Sequence, residues 1–157
     1  MLVTRRTIQW KPLLFFLLYT FILAGFGTRL GMPSTAGLSL PPLSPPEWLF
    51  PNVRTILYSL MSIAAYLVAI SDDIDRTASL QLYLVQVIVN ILWPLLFFRL
   101  EWRGVAFLWL IVLILLVLRM ARRFKDISKT AYLLLLPYIV WLFFAGYLNL
   151  GIYLLNR

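Results

Sequence analysis

The stretch AYLLLLPYIVWLFFAGYLNLGIYLL, residues 131–155, contains no charged side chain and exceeds the ~20 apolar residues that a helix needs to cross a bilayer. Outward from it the same texture recurs, with apolar runs at 12–30, 53–70, 78–98 and 105–118. Of the 157 residues 62% are hydrophobic, about 97 positions, and five spans of ~20 residues use about 100. The charged fraction is 13%, about half the ~25% of ordinary globular domains. The predicted fold is therefore an all-α membrane protein, a bundle of five transmembrane helices in one domain over residues 1–157.

The polar inventory narrows the chemistry. There is no His and no Cys, which removes thiolate zinc sites, thiol nucleophiles and the usual general base at neutral pH. All six acids, Glu47, Asp72, Asp73, Asp75, Glu101 and Asp126, fall outside the apolar runs. A proton-coupled carrier usually keeps an ionisable group inside the membrane, so that reading is weakened. No metal and no cofactor is expected. The net charge of +8 comes from basic residues flanking apolar spans, where anionic lipid headgroups account for them, and nucleic-acid binding is not expected.

The first run follows Arg5, Arg6 and Lys11, the charge order of a signal peptide. Its length and the poor cleavage sequence Ala24-Gly25-Phe26-Gly27 favour a retained span. Residues 31–51 hold Pro33, Pro41, Pro42, Pro45, Pro46 and Pro51; each fixes φ and removes a donor, so an extended, stiff loop is predicted. With five spans, Arg5, Arg6, Lys11, Arg76, Arg119, Arg122, Arg123, Lys125 and Lys129 share one side of the membrane. Arg29, Arg54, Arg99, Arg103 and Arg157 lie on the other, and this asymmetry predicts a cytoplasmic N-terminus.

Polar and aromatic positions inside the spans are the candidate site. Gln86, Asn90, Trp93 and Phe97 fall on one stripe of the third helix, and Trp141, Ala145 and Asn149 recur every four residues in the fifth. Arg54, Tyr58 and Ala65 share a face of the second, with Met61 near it. One reading is structural, with amides bridging helices and small residues permitting close approach. The other is a pocket walled by Tyr58, Trp93, Phe97 and Trp141, floored by Ala145 and offered an amide by Asn90, suited to a large, flat, mostly apolar ligand. Trp10, Trp48 and Trp102 lie at span ends as interfacial anchors, and Trp109 is expected to face lipid or pack. Arg54 is expected to snorkel or to pair with Glu47; alternatively its fork meets a ligand carboxylate.

The segments PPLSPPEWLFP (41–51), Thr55-Ile56-Leu57-Tyr58, QVIVNILWPLLFF (86–98), Pro137-Tyr138-Ile139-Val140-Trp141 and Phe144-Ala145-Gly146-Tyr147-Leu148-Asn149 together resemble the translocator protein family. These are the tryptophan-rich sensory proteins of bacteria and the peripheral benzodiazepine receptors of mitochondria. The resemblance implies a five-helix bundle, commonly a homodimer, that binds porphyrins such as protoporphyrin IX, sterols and benzodiazepine-type ligands. Matching pocket positions are Tyr58, Asn90, Trp93, Trp141 and Ala145, and Pro45, Pro46 and Trp48 match the loop that lids the pocket.

Three departures stand out. The family's Trp-x-x-x-Tyr motif has Arg54 at its Trp position, Ser34 and Thr35 stand near the usual Trp-Tyr pair of the first loop, and Leu43 replaces the Trp of the Pro-rich segment. Porphyrin photodegradation, which the resemblance ties to a Trp pair including the match of Trp141, loses one partner here. The expected function is a membrane receptor or sensor for tetrapyrroles or sterols. The alternatives are a light- or oxygen-dependent porphyrin-degrading enzyme centred on Trp141, or a transporter of the same ligands. Leu150-x-x-Tyr153-x-x-x-Arg157 also fits a degenerate cholesterol-contact pattern.

Overall fold

The computed structural model describes residues 7–157; Arg5 and Arg6, counted above for orientation, lie outside the described residues. Five long helices are present: α1 (Trp10–Gly31), α2 (Leu49–Ala69), α3 (Arg76–Pro94), α4 (Arg103–Ile127) and α5 (Lys129–Leu155). Each, α3 together with the turn that continues it to Arg99, has the length and apolarity to span a membrane. Around the bundle the order is α1, α2, α5, α4, α3, closing back on α1. The core runs through Met61, Ala64 and Val68 of α2, Tyr83 and Val87 of α3, Leu113 and Val117 of α4 and Leu135 and Tyr138 of α5, all essentially inaccessible. The outer faces carry large apolar side chains such as Leu18 and Ile22 of α1, Leu108 and Leu115 of α4 and Val140 of α5, a surface that matches lipid rather than water.

The helices overrun their apolar runs, most clearly at the end of α4 and the start of α2. α4 continues past Leu118 to Ile127 because Met120, Ala121 and Phe124 keep a buried stripe while Arg119, Arg122 and Lys125 face outward. Its 25 residues reach about 37 Å, beyond the ~30 Å hydrocarbon core, so the charged last turns stand clear of it. α2 starts at Leu49 and takes Pro51 into its first turn, where the missing N–H has no intrahelical partner to lose. Ser128 caps α5, its side chain accepting from Ala131 N at 3.2 Å.

The third span ends differently from a plain helix. Pro94 cannot donate to the Asn90 carbonyl, and the chain widens into a π-helical turn, Leu95–Arg99, with Leu100 N bonding to Leu95 O at 2.9 Å. α1 presses on this region: a Cβ at Gly31 would lie 2.6 Å from Pro94 Cβ, and one at Gly27 2.8 Å from the Ile91 carbonyl oxygen. Only a residue without a side chain allows so close an approach.

At one end of the bundle Gln9 N donates to the Tyr66 hydroxyl, tying the start of α1 to the last turn of α2. At the other end the connection 32–48 folds over the C-terminal half of α5. Tyr147 OH donates to Pro42 O, Ser39 N donates to Asn156 Oδ1 and Asn156 Nδ2 to Ser39 O, and Pro41 sits against Gly151. Thr35 donates to the Glu47 carboxylate through both its backbone N–H and its hydroxyl, and these bonds hold that carboxyl below the ordinary range.

Candidate functional site

Four helices converge on one internal cavity. Arg54, Leu57 and Tyr58 come from α2, Asn90 and Trp93 from α3, Leu110 from α4, and Tyr138, Trp141, Leu142 and Ala145 from α5. Six of the seven ligand-binding positions expected from sequence therefore line a single space. The seventh, Phe97, does not. The widened turn after Pro94 carries it away from the cavity, where it is buried against Ala106 and Ile152 with its ring stacked on Trp93 at 4.9 Å. Phe97 backs the wall and fixes the plane of the Trp93 indole.

The polar groups of the cavity form a defined network. Asn90 Nδ2 donates to the Tyr138 hydroxyl, which donates to Gln86 Oε1, each at 2.9 Å. Gln86, fully buried, turns its Nε2 to Met61 Sδ at 3.2 Å. Trp93 Nε1 donates to Asn149 Oδ1, and Asn149 Nδ2 donates to the Arg103 carbonyl, both at 2.9 Å. With donors and acceptors so matched, the site carries little cost of buried unsatisfied polarity and the rings keep one orientation. Trp109 is packed, its Nε1 bonded to the Val89 carbonyl at 2.8 Å.

Arg54 lines the cavity half-buried, and the expected ion pair with Glu47 is not formed because Thr35 holds that carboxylate. Among the described residues no ion pair involves Arg54, and the Glu101 carboxylate stands by Arg103 instead. A cationic fork thus stands beside aromatic walls without an anion of its own, in a chain with no other charged group on that cavity. Among the described residues no three acidic side chains come together as a metal site would require.

The loop positions behave differently from expectation. None of Pro45, Pro46 or Trp48 lines the cavity, and Trp48 is 65% exposed, as an interfacial anchor would be. The residue of that region that reaches the site is Phe50 in the first turn of α2, edge-on to Trp141 at 5.9 Å. The other ring neighbour of Trp141 is Phe144 at 5.7 Å. Tyr138, Leu57, Leu110 and Leu142 were not among the expected positions. Tyr138 was within reach of the pattern, since the Trp141, Ala145 stripe extended back by one turn arrives at it.

The cavity measures about 40 Å³, room for a few waters and far below the ~300–1,000 Å³ of small-molecule sites. Its walls are in contact, so a large flat ligand enters only if they part.

The pattern of residues has a counterpart in known proteins. Residues 13–155 match the model of the TspO/MBR family. The chain is 36% identical to the tryptophan-rich protein TspO of Archaeoglobus fulgidus over 121 residues, 77% of this chain and 78% of that protein. It is 34% identical to the translocator protein of Ovis aries over 117 residues, 73% and 69% of the two chains. To the tryptophan-rich sensory protein of Cereibacter sphaeroides it is 32% identical over 137 residues, 80% and 85%. With five membrane-crossing helices and a match over nearly its whole length, the chain is an integral, multi-pass membrane protein belonging to the TspO/MBR family.

Proposed function

We propose that this protein is a membrane receptor or sensor that holds a porphyrin, or another planar and mostly apolar molecule with an acidic edge, between α2, α3, α4 and α5. The observation that carries the reading is the convergence of Trp93, Trp141, Tyr58 and Tyr138 on one cavity with the unpaired guanidinium of Arg54. Aromatic faces take a flat ring system by stacking. A guanidinium takes a propionate bidentately, and each such charge-assisted bond is worth about 1.5–3 kcal/mol. A sterol satisfies the apolar walls but offers Arg54 only a hydroxyl, which ranks it below a carboxylated tetrapyrrole.

Entry requires the walls to separate, and the side chain placed to move is Phe50, in the first turn of α2 directly after the loop. Release of the loop contacts at Thr35–Glu47 and Tyr147–Pro42, all on exposed groups, frees that turn. Binding is favoured over photochemical breakdown because Trp141 has Phe50 and Phe144 as its ring neighbours, with no second indole against it. The tethered loop stands at the end that carries Arg29, Arg99 and Arg157. The end carrying Arg76, Arg119, Arg122, Arg123 and Lys129 is the more basic and is assigned to the cytoplasm, with the N-terminus.

The test is titration of the purified protein with protoporphyrin IX, followed by quenching of tryptophan fluorescence, in the parent and in Ala145→Leu. The larger side chain fills the small cavity, and saturable quenching in the parent with loss of at least about tenfold in affinity in Ala145→Leu is expected. Equal quenching in both would move the ligand elsewhere on the protein.

A further inference from the structure

A second cavity, distinct from the aromatic one, opens where the turn between α3 and α4 meets the end of α5. It has a volume of about 540 Å³ and is lined by Glu101, Trp102, Arg103, Gly104, Val105, Tyr153 and Asn156. Within it Arg103 is an unusual cation. Its side chain is only 18% exposed, and its Nε is buried with no hydrogen-bond partner. Its Nη2 lies 3.5 Å from a Glu101 carboxylate that is itself 69% exposed, a distance too long for a good charge-assisted bond. A buried donor on a cation that goes unsatisfied is costly, and the arrangement awaits an acceptor.

The surroundings define that acceptor. Arg157 lies over the Tyr153 ring, its guanidinium carbon 5.0 Å from the centroid, and the ring packs on Gly104 of α4. The Arg103 guanidinium thus lines the cavity with the single carboxylate of Glu101, and the Arg157 guanidinium is one ring away, over Tyr153. Glu101 holds its place from a left-handed backbone, φ 54°, and its exposed side chain is free to swing away. Val105 and Trp102 of the lining are 49% and 57% exposed, and Leu100 and Leu155, next in the chain to the lining residues Glu101 and Asn156, are exposed as well. A partly buried cation, exposed apolar side chains and an exposed Trp at the end of a span describe the headgroup level of a bilayer.

We infer that this cavity is a binding site for the phosphate of an acidic membrane phospholipid, held by the guanidinium groups of Arg103 and Arg157 with Glu101 displaced, its acyl chains lying along Leu100, Val105 and Leu155. This site differs in place from the aromatic cavity and does not depend on the ligand proposed there. Tyr153 and Arg157 belong to the cholesterol-contact pattern seen in the sequence, but the Arg103 cation, with only a long contact to Glu101, is matched by an anion, whereas a sterol offers it a neutral hydroxyl.

The experiment is native mass spectrometry of the full chain in detergent, counting lipid retained with phosphatidylglycerol, with diacylglycerol of the same acyl chains, and with inorganic phosphate added as competitor. One phosphatidylglycerol per chain is expected, with diacylglycerol not retained. Arg103→Gln and the exposed Arg157→Gln should each weaken retention about tenfold, the worth of one charge-assisted bond. Glu101→Gln should strengthen it about threefold, a gain that misfolding does not produce. Equal retention of diacylglycerol, indifference of phosphatidylglycerol to both Arg substitutions, or weaker binding in Glu101→Gln would overturn the proposal. Displacement of the lipid by millimolar phosphate would overturn the lipid assignment in favour of a soluble anion.

Discussion

Trp93 Nε1 donates to Asn149 Oδ1 at 2.9 Å, and the same amide donates onward to the Arg103 carbonyl. One buried side chain of α5 thereby fixes the indole that walls the aromatic cavity and the first residue of α4. Asn149→Leu keeps the bulk and removes both bonds, leaving the Trp93 donor without its acceptor. A loss of about 1–3 kcal/mol in unfolding free energy is expected, together with weaker porphyrin binding. Equilibrium unfolding in detergent and a fluorescence titration measure the two, and an unchanged protein would show that Trp93 is held by packing on Phe97 alone.

The relay Asn90–Tyr138–Gln86 makes a sharper demand on one atom. Tyr138→Phe removes a hydroxyl that accepts from Asn90 and donates to Gln86. Since both partners stay in the bundle, the substitution is expected to cost about 1–3 kcal/mol. Tyr138→Phe combined with Gln86→Leu should recover part of it, because the second change removes the stranded acceptor. Thermal unfolding of the single and double variants supplies the comparison.

Two glycines of α1 separate packing from helix propensity. Gly31→Ala places a methyl 2.6 Å from Pro94 Cβ and 2.8 Å from its carbonyl carbon, whereas a Cβ at Gly25 meets nothing within 4 Å. Gly31→Ala is expected to destabilise by about 1–3 kcal/mol through displacement of α1. Gly25→Ala should be neutral or stabilising by up to about 1 kcal/mol. The unfolding midpoints of the two variants should move in different directions.

The Glu47 carboxyl gives the loop a pH dependence of known sign. Its bonds from Thr35 lower its pKa in the folded state. The tether is therefore fully present above the ordinary Glu value of ~4.3 and is lost as pH falls through the lowered folded value. Hydrogen exchange at residues 35–47 should be flat from neutral pH down to that region and accelerate below it, after correction for the intrinsic exchange rate. Glu47→Gln should remove the step.

Much of the architecture was legible because a bilayer imposes strong rules. An uncharged run such as 131–155 reads as a membrane helix, so the five spans could be read from apolarity; the Pro-rich segment 31–51 was read as loop throughout, but its last residues, Leu49–Pro51, open α2. The ends were harder. The last turns of α4 are charged on one side and apolar on the other, a pattern that a search for continuous apolar runs stops short of. The site stripes on α2, α3 and α5 were visible as periodic polar and aromatic positions. Phe97 was misplaced because a 3.6-residue period was carried through a turn that the proline converts to π geometry. The Trp48 position could not be settled from sequence, since a Trp at a span end reads equally as lid or anchor; Thr35 taking Glu47 away from Arg54 is a tertiary choice with no periodic signal.

The central claim is that Arg54, standing where relatives are expected to have a Trp, reads a carboxylate on a planar ligand. It is tested most directly by measuring the affinities of protoporphyrin IX and of its dimethyl ester for the parent, Arg54→Leu and Arg54→Trp. The account predicts that both substitutions weaken the free acid about tenfold, one charge-assisted interaction, and leave the ester within about twofold of the parent. Free-acid affinity unchanged in both variants, or acid and ester weakened equally, would contradict it.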